Sequence, residues 1–108
     1  MFDMTDNDLF EVYNQLKNRY DLILTTTSAL NRECDAGFTI ECPILVGKAH
    51  GQIIELYVCD EMFVMDVMND TQTKGTHWHP CSVKAAVKDI VDFMNGTCNY
   101  KMQPFSQT

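Results

Sequence analysis

Residues 53–68 read Ile-Ile-Glu-Leu-Tyr-Val-Cys-Asp-Glu-Met-Phe-Val-Met-Asp-Val-Met. Apolar residues recur at every second position on both sides of Asp60-Glu61, which is typical of two half-buried strands joined by a tight turn. If Cys59 pairs with Met62 across that turn, the alternating apolar side chains of both strands fall on one face, whereas a slip of one residue would separate them. The pattern therefore predicts an antiparallel hairpin in this register. Its inward-facing residues are Ile54, Leu56, Val58, Phe63, Met65 and Val67.

A helix is predicted upstream of this hairpin. Thr5 is followed three residues later by Asp8, a variant of the capping box that begins many helices. Apolar residues then repeat in steps of four and three, so they share one face of a helix that we expect to run to about Arg32. The β-branched run at residues 25–27 lowers helix propensity, and a break there or a short strand over residues 22–27 is the alternative. The apolar positions are Leu9, Tyr13, Leu16, Tyr20 and Ile23, and Leu30 continues the series through Thr27.

Further extended segments flank the hairpin. Residues 38–44 alternate between apolar and polar, which predicts a strand. Pro43 cannot donate a ladder hydrogen bond, so this strand should lie at a sheet edge or be paired on one side only at that point. Residues 47–51 contain two glycines and predict a turn. Residues 76–79 predict a short fourth strand.

A second helix is predicted after that strand. Ser82 is a suitable N-cap, apolar residues repeat from Val83 to Met94, and Gly96 suits the left-handed residue that ends many helices. The tail, residues 97–108, is expected to pack locally or to fray. This order predicts a single two-layer α+β domain over residues 1–108, in which a long N-terminal helix and a C-terminal helix cover one face of a three- or four-stranded antiparallel meander.

Composition limits the classes of partner. The chain has 108 residues and a formal net charge of −7, which disfavours nonspecific binding to nucleic-acid phosphates and to anionic membranes. Its five cysteines form no Cys-x-x-Cys pair, and their odd number favours thiols in a reducing compartment. The N-terminal residues do not read as a secretory signal, and no apolar stretch approaches the roughly 20 residues that span a bilayer. We therefore expect a cytoplasmic protein that binds neither nucleic acid nor membranes.

The sheet face turned away from the helices is predicted to be unusually apolar. A contiguous exposed patch of this kind is typical of an interface. We expect self-association as a homodimer, or the binding of a protein partner, on this face. The predicted interface residues are Leu45, Ile53, Tyr57, Met62, Val64 and Met68.

A second candidate site is the run His77-Trp78-His79-Pro80-Cys81. Residues two apart on a strand point to the same face, so His77 and His79 lie side by side on the outer surface if Trp78 points inward. Two imidazoles, with Cys81 as a third ligand, have the chemistry to hold Zn²⁺ or another divalent transition metal. The alternative is purely structural: Trp78 fills the joint between the sheet and the last helix, and Pro80 rigidifies the corner.

The sequence contains none of the common catalytic motifs. There is no Gly-x-Ser-x-Gly, P-loop, dinucleotide fingerprint or His-Glu-x-x-His. We therefore expect a non-enzymatic protein-binding or interaction module without a cofactor. The alternative is a protein that binds a metal or a small ligand through His77, His79 and Cys81. In size, charge and fold class alone, the chain resembles bacterial immunity proteins, which neutralise a toxin partner.

Overall fold

The computed structural model describes residues 3–27, 41–98 and 100–104. These residues form an α+β fold in which two helices accompany one antiparallel sheet of six strands. The strands follow chain order across the sheet, so each pairs with its neighbour in the chain. The predicted class is confirmed, but the sheet is wider than the predicted meander. The elements are α1 (Asp6–Leu16), β1 (Leu22–Thr27), β2 (Glu41–Ala49), β3 (Gln52–Cys59), β4 (Met62–Asn69), β5 (Lys74–Trp78), α2 (Val83–Asn95) and β6 (Gln103–Pro104).

Helix α1 is shorter than predicted. It begins after Thr5, whose backbone N–H donates a 2.8 Å hydrogen bond to Oδ2 of Asp8, as the capping pattern predicts. It ends at Leu16, so the predicted extension to Arg32 is wrong. Residues 22–27 pair with β2 instead, because β-branched threonines fit a pleated strand better than a helix. The alternative of a strand over these residues is confirmed, and residues 28–32 of the predicted helix lie outside the described residues.

The hairpin of β3 and β4 has the predicted register. The turn residues Asp60 and Glu61 both have positive φ, 52° and 63°, as in the type I′ turns that match the twist of paired strands. Two residues other than glycine thus adopt a backbone conformation that is usually found at glycine and asparagine. The confirmed pairs are Cys59–Met62, Val58–Phe63, Leu56–Met65 and Ile54–Val67.

Strand β2 continues through residues 47–49, where the sequence predicts a turn. Only His50 and Gly51 form the turn to β3, and both have positive φ, 57° and 71°. Gly47 lies inside the strand, where an added Cβ would come within 2.8 Å of Cδ2 of Leu22. This glycine therefore allows a close approach between neighbouring strands rather than a change of chain direction.

Pro43 marks an irregularity in β2. The strand lies between β1 and β3 rather than at an edge of the sheet. Its register with β3 begins only at Leu45, and its register with β1 shifts between Thr25 and Thr27. A residue without a backbone N–H is tolerated at such a bulge. The first part of the predicted strand, residues 38–40, lies outside the described residues.

Both helices pack against the same face of the sheet and share one core. Ser82 Oγ accepts a 3.0 Å hydrogen bond from the backbone N–H of Ala85, and Gly96 (φ 70°) ends α2 in the left-handed conformation. Both predicted ends of this helix are therefore confirmed. Beyond it, β6 pairs with β5. The buried core residues on this face are Leu9, Val12, Leu16, Leu22, Leu45, Ile54, Leu56, Phe63, Met65, Val67, Ala86, Ile90 and Phe93.

The helices are short. Within the described residues α1 has 11 residues and α2 has 13, whereas a transmembrane helix needs about 20. Neither of these helices is long and apolar enough to cross a membrane.

Candidate functional site

Trp78 points toward α2. Its indole Nε1–H donates a 2.7 Å hydrogen bond to Oδ2 of Asp89, and its ring stacks on Tyr100 with a centroid distance of 5.4 Å and an interplanar angle of 17°. The indole therefore occupies the joint between β5 and α2. Because successive strand residues alternate faces, His77 lies on the opposite surface of the sheet, away from the helices.

His77 and His79 lie together on that outer surface. Both side chains are exposed, and their ring centroids are 6.0 Å apart in an edge-to-face arrangement. Nδ1 of His79 lies 3.0 Å from the backbone carbonyl oxygen of Phe63. A carbonyl oxygen can only accept a hydrogen bond, so Nδ1 carries the proton and the Nε2 lone pair of the neutral ring is left for another partner.

Cys81 does not complete a metal centre with the two histidines. Within residues 3–27, 41–98 and 100–104, no three His, Cys, Asp or Glu side chains are grouped to hold a metal ion. Cys81 follows the buried Pro80 and is itself exposed. The structure thus brings His77 and His79 together and leaves Cys81 outside their pair.

Two carboxylates on the same outer face are buried. Glu55 and Asp66 oppose each other directly in the β3–β4 register, and they are only 1 % and 3 % exposed. Val46 continues this row on one side and His77 on the other. Adjacent buried carboxylates are costly unless each is compensated, and both residues engage in further interactions. The hairpin register already implies that they face each other, but their burial depends on tertiary packing that alternation cannot predict.

The predicted interface residues divide into three groups. Leu45 pairs with Leu56 and belongs to the core beneath the helices, so its predicted place on the outer face is wrong. Ile53 and Met68 do face outward, but they are 5 % and 0 % exposed and offer almost no surface to a partner. The remaining three residues are half-buried. They are Tyr57, Met62 and Val64.

The exposed large apolar side chains of the described residues lie elsewhere, on β1. Ile23 is 58 % exposed and Leu24 is 36 % exposed. Among the described strands, β1 is paired on one side only, with β2. The sequence signal was available: the run Leu-Ile-Leu-Thr-Thr-Thr carries no charge and no proline. The apolar spacing that continues from α1 into this run favours a helix instead, and so it hides the strand signal.

The thiol of Cys42 has a raised pKa. Burial raises its pKa to about 11, and the nearby Asp6 carboxylate and Cys59 add to the shift. A thiolate is the reactive form, so this cysteine is a poor nucleophile at neutral pH. None of the four described cysteines takes part in a disulfide. Cys34 lies outside the described residues.

Comparison of the chain with protein-family models, with curated proteins and with solved structures found no match.

Proposed function

We propose that this protein is a non-enzymatic interaction module that assembles through β1, adding a strand of its partner to the edge of its own sheet. The observation that carries the proposal is the exposure of Ile23, at 58 %, on a strand with one described neighbour. An edge strand offers backbone N–H and C=O groups that a second extended chain satisfies. The edge therefore specifies an extended peptide backbone as its occupant.

The two edges of the described sheet differ in how well they resist pairing. Natural edge strands are commonly short, charged or interrupted by proline. Strand β6 has two residues, one of which is Pro104. Strand β1 has six residues without a charge or a proline. Among the described strands, β6 therefore has these protective features and β1 lacks them.

The occupant that fits this edge is a second copy of the chain. Two molecules that each carry a net charge of −7 repel each other, and β1 offers a contact strip without charged side chains. Two identical strands can pair in antiparallel fashion around a twofold axis, which buries the same patch on both subunits. The cross-strand neighbours of the partner would then cover part of Ile23, and the six described strands of each subunit would join in one continuous sheet.

The mass of the protein in solution, measured by light scattering across a range of concentrations, tests this proposal. We expect a dimer that Ile23→Lys converts to a monomer, because the new lysine charges the edge as natural edge strands do. Gln15→Lys is the matched control: it adds the same charge at an exposed position of α1 and should leave the dimer intact. A monomer at every concentration, or a dimer that survives Ile23→Lys, would overturn the proposal; a heterologous strand would then be the remaining occupant.

We propose a reducing, cytoplasmic location for this module. The odd number of cysteines and the absence of disulfides among the described ones support this location.

A further inference from the structure

We propose that His77 and His79 form a two-imidazole binding site for a late first-row divalent transition metal ion, with the remaining coordination positions open to solvent. The site lies on the outer surface of β5, and it does not depend on the pairing of β1. It differs from the three-ligand centre expected from the sequence, because Cys81 takes no part in it.

The positions of the two rings support this site. His77 belongs to β5, and His79 comes directly after the last residue of that strand, Trp78. The ring centroids of His77 and His79 are 6.0 Å apart and both rings are exposed. Small rotations of the side chains therefore bring one nitrogen of each ring to a common ion, without a change in the backbone.

The second nitrogen of His79 is held as metal-binding histidines usually are. A ligating imidazole typically donates its other N–H to a carbonyl or a carboxylate, which fixes the tautomer and the orientation of the ring. Nδ1 of His79 makes such a contact with the carbonyl oxygen of Phe63 at 3.0 Å. The Nε2 lone pair of this ring is therefore available to a metal ion.

The backbone beneath the two rings is fixed. Trp78, between them in sequence, is anchored on the other face by its 2.7 Å hydrogen bond to Asp89 and by its stacking on Tyr100. The backbone of His77 is paired with that of Asp66 in β4, and His79 is followed directly by the buried Pro80. Less conformational freedom is lost on binding when the ligands already have a fixed separation.

The ligand set selects the class of metal. Imidazole nitrogen suits Cu²⁺, Ni²⁺ and Zn²⁺, whereas Mg²⁺ and Ca²⁺ prefer oxygen ligands. A structural zinc site has four protein ligands, and the described residues supply no group of three. The site is therefore an exchangeable surface site that holds the metal with two nitrogens and water.

Ni²⁺ is the probe for this proposal, because it prefers imidazole and is not expected to oxidise the thiols. We expect the untagged protein to be retained on a nickel-loaded chelating resin and to bind Ni²⁺ in a calorimetric titration. His77→Ala and His79→Ala should each weaken binding at least about tenfold, since loss of an outer-shell partner alone costs about 10- to 100-fold. Lower pH should weaken binding too, because protons compete for the same nitrogens.

Two matched variants separate this site from other metal ligands. His50→Ala removes the third histidine, which lies in the β2–β3 turn, and Cys81→Ser removes the neighbouring thiol. Neither should change the affinity for Ni²⁺. Loss of binding in either variant, or retention of binding in the double variant of His77 and His79, would overturn the proposal.

A measurement on the unaltered chain guards against misfolding of the variants. Paramagnetic Ni²⁺ should broaden the imidazole NMR signals of His77 and His79 at concentrations that leave the signals of His50 sharp. Equal broadening of all three rings, or none at all, would contradict a site formed by these two residues.

Discussion

The indole Nε1–H of Trp78 is 2.7 Å from Oδ2 of Asp89, and this hydrogen bond links the last residue of β5 to the middle of α2. It is partly buried and its acceptor is a carboxylate, two conditions under which a hydrogen bond contributes more than usual to stability.

Asp89→Ala should therefore lower the free energy of unfolding by about 1.5 to 3 kcal/mol, because it removes a bond to a charged group and leaves the indole N–H without its acceptor. Asp92→Ala on the same helix is the matched control. Asp92 pairs with the exposed Lys88, and such pairs contribute less than about 1 kcal/mol. Urea unfolding of both variants measures the two free energies of unfolding. Equal decreases would show that the Trp78–Asp89 hydrogen bond stabilises the fold no more than an exposed ion pair does.

Gly51 and Gly96 have nearly the same φ but different surroundings. Substituting each by alanine therefore separates the cost of backbone strain from the cost of steric crowding. Gly96 (φ 70°) and Gly51 (φ 71°) both sit in the left-handed region, where an L side chain costs about 1 to 2 kcal/mol. An added Cβ at Gly51 meets nothing within 4 Å, whereas at Gly96 it would lie 3.1 Å from Nε2 of His50. That nitrogen is 3.1 Å from the carbonyl oxygen of Met94 at the end of α2.

Gly96→Ala should thus destabilise the protein more than Gly51→Ala, by about 1 kcal/mol, the usual contribution of one hydrogen bond. Chemical denaturation of the two variants checks this expectation. If both lose the same amount, the His50 contact does not constrain the end of the helix.

Thiol reactivity should rank Cys42 well below Cys81. The Cys42 pKa of about 11 lies above the ordinary value of 9.0, which reduces its thiolate fraction about 100-fold near neutral pH. Cys81 is exposed. Alkylation with iodoacetamide followed by peptide mass spectrometry gives both rates. Asp6→Asn should accelerate the reaction of Cys42, because the Asp6 carboxylate contributes to its raised pKa; an unchanged rate would show that Asp6 does not contribute to the slow reaction.

The same raised pKa has a consequence for stability at alkaline pH. Between about pH 9 and pH 11 the Cys42 thiol ionises in the unfolded chain but stays protonated in the fold. The folded state then binds more protons, so stability falls as the pH rises through this window. Burial also raises the pKa of Tyr100, with the same sign. Thermal unfolding from pH 8 to pH 11 should show a shallower decline in Cys42→Ala than in the parent chain.

The sequence predicts those elements whose patterns are local and agree with tertiary pairing. The β3–β4 hairpin is such an element, because two alternating strands and a two-residue connection allow only one register that keeps both apolar sets together. The ends of α2 are another, since Ser82 and Gly96 satisfy the helix termini through short-range hydrogen bonds.

Errors arise where two periodicities compete or where a strand changes phase. Ile23 continues the apolar spacing of α1, but pairing with Val46 holds it in β1. Leu45 follows an alternating stretch that would turn it outward. The irregularity near Pro43 shifts the phase, so that Ile44 faces outward and Leu45 enters the core.

The candidate sites were predictable to different degrees. The strand spacing of two places His77 and His79 on one surface once Trp78 is known to point inward, and a lone tryptophan beside a helix favours that direction. The exclusion of Cys81 depends on how the chain bends at residues 81–82 before α2, which the spacing of possible ligands in the sequence does not reveal. The burial of Ile53 and Met68 likewise depends on three-dimensional packing, which no one-dimensional pattern reports.

The chain-order arrangement of the six strands also determines how the sheet is built over time. Each described strand pairs with the strand that is next in chain order, so none of the described strands has to be inserted between two that are already paired. The β3–β4 hairpin closes over two residues, whereas β1 and β2 are separated by residues 28–40; short loops close with the smaller entropy loss and the faster rate. During synthesis β1 leaves the ribosome first among the described strands. It remains unpaired until β2 has also been made, which is a longer interval than the short turns impose on β3 and β4. Its uncharged edge is then a hazard for aggregation before folding is complete, as well as the surface proposed above for assembly.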